Sequence, residues 1–287
     1  MTSTRGLSPP RAGGDGAFPG FAKGGFADWV DDVIPLFHRD LGGAGRPPLV
    51  LLHGLLGSSR NWQTAGTELA TQYHVHALDL RNHGRSPHAD GMTYHVLAAD
   101  VLAWLDVQRL GPVTLIGHSM GGKAAMLLAC RAPERVARLV VVDIAPKDYC
   151  WPAHRESFAA MNELDLTTLI SRADAEARFE TRVPSWPMRK FLATNLEADA
   201  AGRWRWQINL PAVTRGLPEV EKNPLQPGDA YAGPVRFIAG GKSEYIETSD
   251  TAVICAHFPA ADVVTIAESG HNPHVERRAA FVAAVLA

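Results

Sequence analysis

The 287-residue sequence predicts an α/β fold, in which helices flank a mostly parallel, twisted sheet. Short apolar runs alternate with longer segments of helical periodicity, a pattern typical of parallel strands joined by crossover helices. This alternation stops after residue 145 and resumes at residue 234. The predicted strands lie at residues 33–38, 49–52, 74–80, 113–116, 139–142, 235–239 and 263–266.

The spacing of apolar residues indicates the helices. Leu97, Val101, Trp104 and Leu105 follow one another at i, i+4, i+7 and i+8, which makes one apolar stripe that can face a sheet. Residues 124–130 are apolar nearly all round, so we expect a central buried helix there.

We divide the chain into three parts. Residues 1–28, rich in Gly, Pro and Ser, are predicted to be a disordered leader without fold content. Residues 29–145 and 234–287 form the predicted core. Residues 146–233 are predicted to be a helical cap, inserted after the strand at residues 139–142, which we count as the sixth.

The predicted cap contains four of the seven tryptophans of the chain. Aromatic side chains of a cap are suited to lining an acyl pocket, and we take Trp186 and Trp206 as candidate substrate-binding residues. The alternative is that these rings are the small core of the cap itself.

Composition excludes several classes of partner. With 28 basic and 30 acidic side chains the formal charge is −2, which favours neither nucleic acid nor an anionic membrane. No apolar run approaches the ~20 residues that span a bilayer. Three cysteines without metal-ligand spacing indicate reduced thiols in a cytoplasmic protein. No H-E-x-x-H pattern is present, so we predict no metal. The near-neutral charge balance favours a small molecule as the partner. We also expect no cofactor, and the oligomeric state stays open.

The hexapeptide from Gly117 to Gly122, Gly-His-Ser-Met-Gly-Gly, lies between a predicted strand and a predicted helix. A serine at such a tight turn exposes its hydroxyl at the sheet edge, and small neighbours allow the chain to pass closely. This context predicts that Ser119 is a nucleophile. A chance Gly-rich turn is the alternative.

A nucleophilic serine needs a base. His271 follows the last predicted strand in a Gly-preceded loop, which makes it the predicted base. His274, three residues on, is the competitor. His53 and His118 flank glycines and are interpreted as structural or pocket-lining, with His118 a candidate substrate-binding residue.

The carboxylate that would orient the base does not stand at its usual position in the sequence. Ser243 occupies the position after the strand at residues 235–239 where an Asp is expected, and Glu244 is adjacent. Asp143 instead ends the apolar strand at residues 139–142, where an unpaired carboxylate would be costly to bury. We therefore favour Asp143 over Glu244, the alternative being that Asp143 only caps the next segment.

Two backbone N–H groups should bind the oxyanion of the reaction. Met120, directly after the nucleophile, is one predicted donor. Leu55, in the glycine-containing loop that follows residues 49–52, is the other.

The chain resembles the YbfF-type esterases of the α/β-hydrolase superfamily. In the predicted core the resemblance is carried by residues 53–62, 79–86, 117–124, 143–146 and 270–271, and in the predicted cap by residues 191–196 and 204–211. The resemblance covers about residues 33–287. It implies the α/β-hydrolase fold and a Ser-His-Asp esterase or thioesterase without a cofactor, and it supports Asp143 as the acid. One departure is Asn272, where a bulky aromatic residue is expected after the base.

We therefore expect a serine carboxylic ester hydrolase that acts on short to medium acyl esters or thioesters through an acyl-enzyme. A carbon–carbon bond hydrolase, a cofactor-free perhydrolase and a non-catalytic ligand-binding protein are the alternatives on this fold. Haloalkane dehalogenases and epoxide hydrolases use an aspartate nucleophile, and these two functions are excluded because position 119 is Ser.

Overall fold

The computed structural model describes residues 32–287, so the predicted leader at residues 1–28 lies outside the described residues. The strands are β1 (His38–Asp40), β2 (Pro48–Leu52), β3 (His74–Leu78), β4 (Val113–His118), β5 (Val136–Val142), β6 (Leu196–Ala198), β7 (Trp204–Trp206), β8 (Val235–Gly240) and β9 (Ala261–Ile266). The helices are α1 (Gln63–Leu69), α2 (Tyr94–Val107), α3 (Met120–Arg131), α4 (Pro152–Glu163), α5 (Arg172–Arg178), α6 (Trp186–Ala193), α7 (Leu210–Glu221), α8 (Thr251–His257), α9 (Pro273–Glu276) and α10 (Arg278–Leu286).

Seven strands form one sheet in the order β1-β3-β2-β4-β5-β8-β9. Only β1 runs antiparallel to its neighbour in this sheet, as predicted for a mostly parallel architecture. Side chains alternate between two cores: Val50 and Leu52 of β2 pack in the cluster that includes α2 and α3, while Leu49 and Leu51 pack with α1 and α10. Helices therefore cover both faces of the sheet.

The first strand was predicted too early in the chain. Residues 33–37 form no strand, and two of their N–H groups donate to side chains: Ile34 N to Asp100 Oδ1 and Phe37 N to Ser86 Oγ, both at 2.9 Å. Pairing with β3 begins only at His38.

Residues 146–233 leave the sheet after β5, which is the fifth strand among the described residues and not the sixth. This segment contains α4 to α7, but a purely helical cap was an incomplete prediction, because β6 and β7 form an antiparallel hairpin between α6 and α7. Within residues 32–287, no helix combines the length and apolarity needed to cross a bilayer.

Candidate active site

Ser119 stands at the turn between β4 and α3 with φ 51° and ψ −118°, a backbone conformation that L-residues rarely adopt. The turn closes because its neighbours are glycines. A Cβ on Gly117 would overlap the carbonyl group of Gly121, and one on Gly121 would lie 2.6 Å from the carbonyl oxygen of His53. The strained serine is thus placed at the C-terminal ends of β2 and β4, at the positive end of α3.

The structure brings the predicted acid and base together. His271 Nδ1 lies 2.8 Å from Asp143 Oδ2. Asp143 is fully buried at the end of β5 with φ 50°, and its Oδ1 accepts a hydrogen bond from Gly240 N at 2.8 Å. Because Nδ1 donates to the carboxylate, Nε2 of His271 is the ring nitrogen available to accept a proton.

The turn of residues 117–122 that contains Ser119, called the elbow from here on, adjoins this pair. Ser119 N donates to Val142 O at 3.0 Å, so the nucleophile and Asp143 stand at neighbouring strand ends. The structure therefore gathers Ser119, Asp143 and His271, residues far apart in sequence, at one edge of the sheet.

Ser243 occupies the position in which an acid was expected. Its Oγ donates to Asp143 Oδ2 at 2.5 Å, so this serine supports a carboxylate that comes from another strand. Glu244 is exposed, and no hydrogen bond joins it to His271 among those of the described residues. The departure at position 243 was visible in the sequence, but its role as a donor to Asp143 was not.

The predicted oxyanion loop lies against the elbow. A Cβ on Gly54 would lie 3.3 Å from Ser119 Cβ, so the loop that contains Leu55 passes directly beside the nucleophile. Met120, the other predicted donor, is the first residue of α3. Both predicted N–H groups therefore belong to segments that border Ser119.

Two buried histidines hold this loop. Nε2 of His53 accepts from Leu80 N at 2.9 Å, and Nε2 of His83 accepts from Leu56 N at 3.2 Å. Burial lowers the pKa of His83 to about 3 and also lowers the pKa of His53, so both rings stay neutral and can accept these bonds. From outside the core, Asn195 Nδ2 donates to Leu56 O at 3.0 Å.

His118 was interpreted as structural or pocket-lining and was a candidate substrate-binding residue, and the structure shows its contacts with the base. It is 7% exposed, and its Nε2 donates to the backbone oxygen of His271 at 2.8 Å. Burial, followed by the nearby His271 and His274, holds the pKa of His118 well below its usual value, so the neutral ring donates through one nitrogen. These contacts favour a role in positioning the base.

An aromatic wall borders the base. The ring of Tyr245 stacks on His271 with centroids 3.7 Å apart, and Tyr149 stacks on Trp151 at 5.2 Å. Tyr149 Oη donates to Tyr245 O at 2.5 Å and accepts from Ala145 N at 2.9 Å, which ties the two tyrosines together. Burial raises the pKa of Tyr245 to about 12, so its ring remains a neutral surface.

The two tryptophans predicted to bind substrate lie in different surroundings. Trp206 is half-buried in β7, opposite Leu196, and packs against the main core cluster. Trp186 is 55% exposed at the start of α6, with Lys190 Nζ 4.1 Å from its ring centroid. The contacts of Trp186 do not support the predicted role, whereas Trp151, which was not selected, belongs to the aromatic wall.

A buried lysine joins the elbow helix to the segment outside the sheet. Lys123 Nζ donates to Lys222 O at 2.6 Å and lies 4.8 Å from the centroid of Tyr149. Burial lowers the pKa of Lys123 to about 7. Since this ammonium group contacts carbonyl oxygens and aromatic faces, it links α3 to the end of α7 and to the aromatic wall.

Comparison with known proteins tests the predicted fold and class. Residues 47–278 match the family described as alpha/beta hydrolase fold. The chain is 36% identical to the sn-1-specific diacylglycerol lipase ABHD11 of Mus musculus, over 88% of this chain and 84% of that protein. It is also 36% identical to the esterase YbfF of Escherichia coli, over 83% and 91% of the two chains. The solved structure of a marine microorganism esterase superposes with a TM-score of 0.85 at 35% identity, over 88% and 98%. The predicted fold, the resemblance and the ester hydrolase class are thereby confirmed.

Proposed function

The chain belongs to the α/β-hydrolase family, and on that premise we propose that it hydrolyses carboxylic esters with Ser119 as nucleophile, His271 as base and Asp143 as the acid that orients the base. The observation that carries the proposal is the 2.8 Å bond between His271 Nδ1 and Asp143 Oδ2, formed beside a serine with φ 51°. A structural histidine would not need a buried carboxylate to fix its tautomer next to a strained serine.

In the first half-reaction Ser119 Oγ attacks the ester carbonyl carbon while His271 Nε2 takes the hydroxyl proton. The tetrahedral intermediate then collapses, the bond to the alcohol oxygen breaks, and the alcohol leaves with that proton. Water repeats these steps on the acyl-enzyme: it loses a proton to His271, attacks the carbonyl, and releases the acid as Ser119 regains its proton.

The charges of the transition state have partners on the protein. The N–H groups of Leu55 and Met120 are proposed to bind the oxyanion, where removal of one donor typically costs about 3 kcal/mol. The imidazolium that forms on His271 lies between the Asp143 carboxylate and the face of Tyr245, both of which favour the cation.

For the substrate we propose short to medium acyl esters, with thioesters as a related class. The relatives named esterase and diacylglycerol lipase support an acyl ester. The aromatic wall of Tyr149, Trp151 and Tyr245 supports an apolar acyl or alcohol group beside the base. A cytoplasmic location is also proposed, and the free thiols of Cys130, Cys150 and Cys255 support it.

The experiment measures hydrolysis of a p-nitrophenyl ester series of increasing acyl length and of an acyl-CoA. Ser119→Ala should lower kcat by at least about a thousandfold, because the nucleophile is removed. Ser249→Ala, at an exposed serine, is the matched control and should retain wild-type turnover. Equal turnover by the wild type and Ser119→Ala would overturn the proposal.

A further inference from the structure

Strands β1 and β3 place four polar side chains on one face of the sheet edge. Asp40 is the direct partner of His76 in the antiparallel register. His38 lies two residues before Asp40, and His74 lies two residues before His76. Since side chains alternate along a strand, these four residues project from the same face.

Three of these side chains converge. One ligand atom each of Asp40, His74 and His76 lies within 4.8 Å of the others, and His74 Nε2 is 3.0 Å from Asp40 Oδ2. The three residues run from an exposed carboxylate, through a half-buried imidazole, to a buried one.

His76 is the unusual member. It is 6% exposed, and neither of its ring nitrogens has a hydrogen-bond partner among residues 32–287. A buried polar atom without a partner is costly, and native structures rarely keep one without a reason. A ligand that accepts an imidazole lone pair would supply that reason.

We propose that Asp40, His74 and His76 bind a divalent transition-metal ion of the Zn²⁺ class. Two imidazoles and one carboxylate are a ligand set that Zn²⁺ favours, with a fourth tetrahedral position left for solvent. Bonds of about 2.1 Å require ligand atoms about 3.4 Å apart. His74 Nε2 and Asp40 Oδ2 are already within that spacing, at 3.0 Å. The remaining separations, at most 4.8 Å, would have to shorten by no more than about 1.4 Å through rotation of exposed Asp40 and half-buried His74.

His38 borders the cluster: its Nδ1 accepts from Trp104 Nε1 at 3.3 Å, and its ring centroid lies 5.6 Å from that of His76.

The cluster is separate from the esterase site. His76 is opposite Val50 of β2, which is opposite Leu115 of β4, four residues before Ser119. Two strand spacings across the sheet and four residues along a strand place His76 roughly 16 Å from Ser119. A bound ion would therefore cross-link the edge strand β1 to its neighbour β3, and it would take no part in ester hydrolysis.

The prediction of no metal rested on the helical H-E-x-x-H spacing. The polar residues of this cluster come instead from two separate strands, as His38-x-Asp40 in β1 and His74-x-His76 in β3. Each pair alternates with one intervening residue, and 34 residues of chain separate the two pairs (74 − 40). Only the pairing of β1 with β3 joins them.

The test is calorimetric titration of the metal-free full chain with Zn²⁺, together with the visible absorption spectrum of its Co²⁺ complex. We expect one ion per chain and a Tm that rises with Zn²⁺. Asp40→Asn and His74→Gln should each weaken binding at least about tenfold and remove the tetrahedral Co²⁺ band. His88→Gln, at an exposed histidine outside the cluster, should bind as the wild type does.

His76→Gln should abolish binding; if this buried substitution prevents folding, His74→Gln at the half-buried position decides. Binding that is absent in the wild type, or unchanged in both Asp40→Asn and His74→Gln, would overturn the proposal. Ser119→Ala should keep full Zn²⁺ affinity, which separates this result from that of the esterase assay.

Discussion

Replacement of Asp143 by Asn should inactivate the enzyme while preserving its fold. Asn is among the few non-glycine residues that tolerate positive φ, so it suits the φ of 50° at this position. The amide oxygen should take the Oδ1 position, because Gly240 N donates there. The amide NH₂ group then points at His271 Nδ1 and Ser243 Oγ, where the wild type has an acceptor.

That NH₂ group would donate to His271 Nδ1 and so select the tautomer with a proton on Nε2. This nitrogen could then no longer accept the proton of Ser119. A wrong tautomer of this kind costs about 10⁴-fold in kcat, or about 5.5 kcal/mol of activation free energy. Asp143 is fully buried and out of reach of a bound ester, so KM should change little.

The assay is steady-state hydrolysis of p-nitrophenyl butyrate by the wild type, Asp143→Asn and Glu244→Gln, with Tm as the check on folding. Glu244→Gln is the matched control, since it neutralises the exposed carboxylate next to Ser243. A kcat of Asp143→Asn within tenfold of the wild type, or an equal loss in Glu244→Gln, would refute the reasoning.

Three further changes follow from the contacts of the site. Asn195→Ala removes the hydrogen bond to Leu56 O, which should cost the loop that contains Leu55 about 0.5–1.5 kcal/mol of stabilisation. Because that loop supplies a proposed oxyanion donor, kcat in the ester assay should fall about 2- to 12-fold. An unchanged kcat contradicts this. Gly121→Ala places a Cβ 2.6 Å from a backbone oxygen and should abolish both activity and labelling of Ser119 by a fluorophosphonate; a labelled, active variant counts against the close packing of the elbow. Burial holds the pKa of His274 at about 3 against 6.5 unfolded, so the unfolded chain binds more protons between these values and stability is lost as pH falls below 6.5, by about 2 kcal/mol at pH 5. The fall in Tm between pH 7 and pH 5 should therefore be smaller in His274→Leu than in the wild type, and equal falls exclude the effect.

Periodicity predicts the parts of the fold in which burial follows the pattern. The all-apolar residues 124–130 lie in α3, in which Ala124 to Ala129 are buried. The six apolar runs after residues 33–38 correspond to strands of the sheet. Residues 33–37 were wrongly predicted as part of a strand. Two of their backbone N–H groups donate to the side chains of Asp100 and Ser86 and not to a neighbouring strand. The hairpin of β6 and β7 is missed because strands of three residues are too short to show alternation.

The residues of the candidate site that the sequence predicts are those with a reactive side chain in a recognisable local sequence context. Ser119 and His271 stand in turns with recognisable neighbours, and Asp143 stands out as a carboxylate that ends an apolar strand. Tyr245 was missed because its stacking on His271 depends on how two loops meet, which no local pattern encodes. Ser243 was noticed only as a missing acid, since its donor role requires a carboxylate from a different strand.

The most direct measurement of the central claim is the mass-spectrometric location of the adduct formed when the full chain reacts with a fluorophosphonate. A nucleophilic serine at the elbow predicts one adduct, on the peptide that contains Ser119. The labelled fraction of the chain should rise over time as ester hydrolysis falls, on the same time course. An adduct on another residue, or continued hydrolysis by chain whose Ser119 is fully labelled, would contradict it.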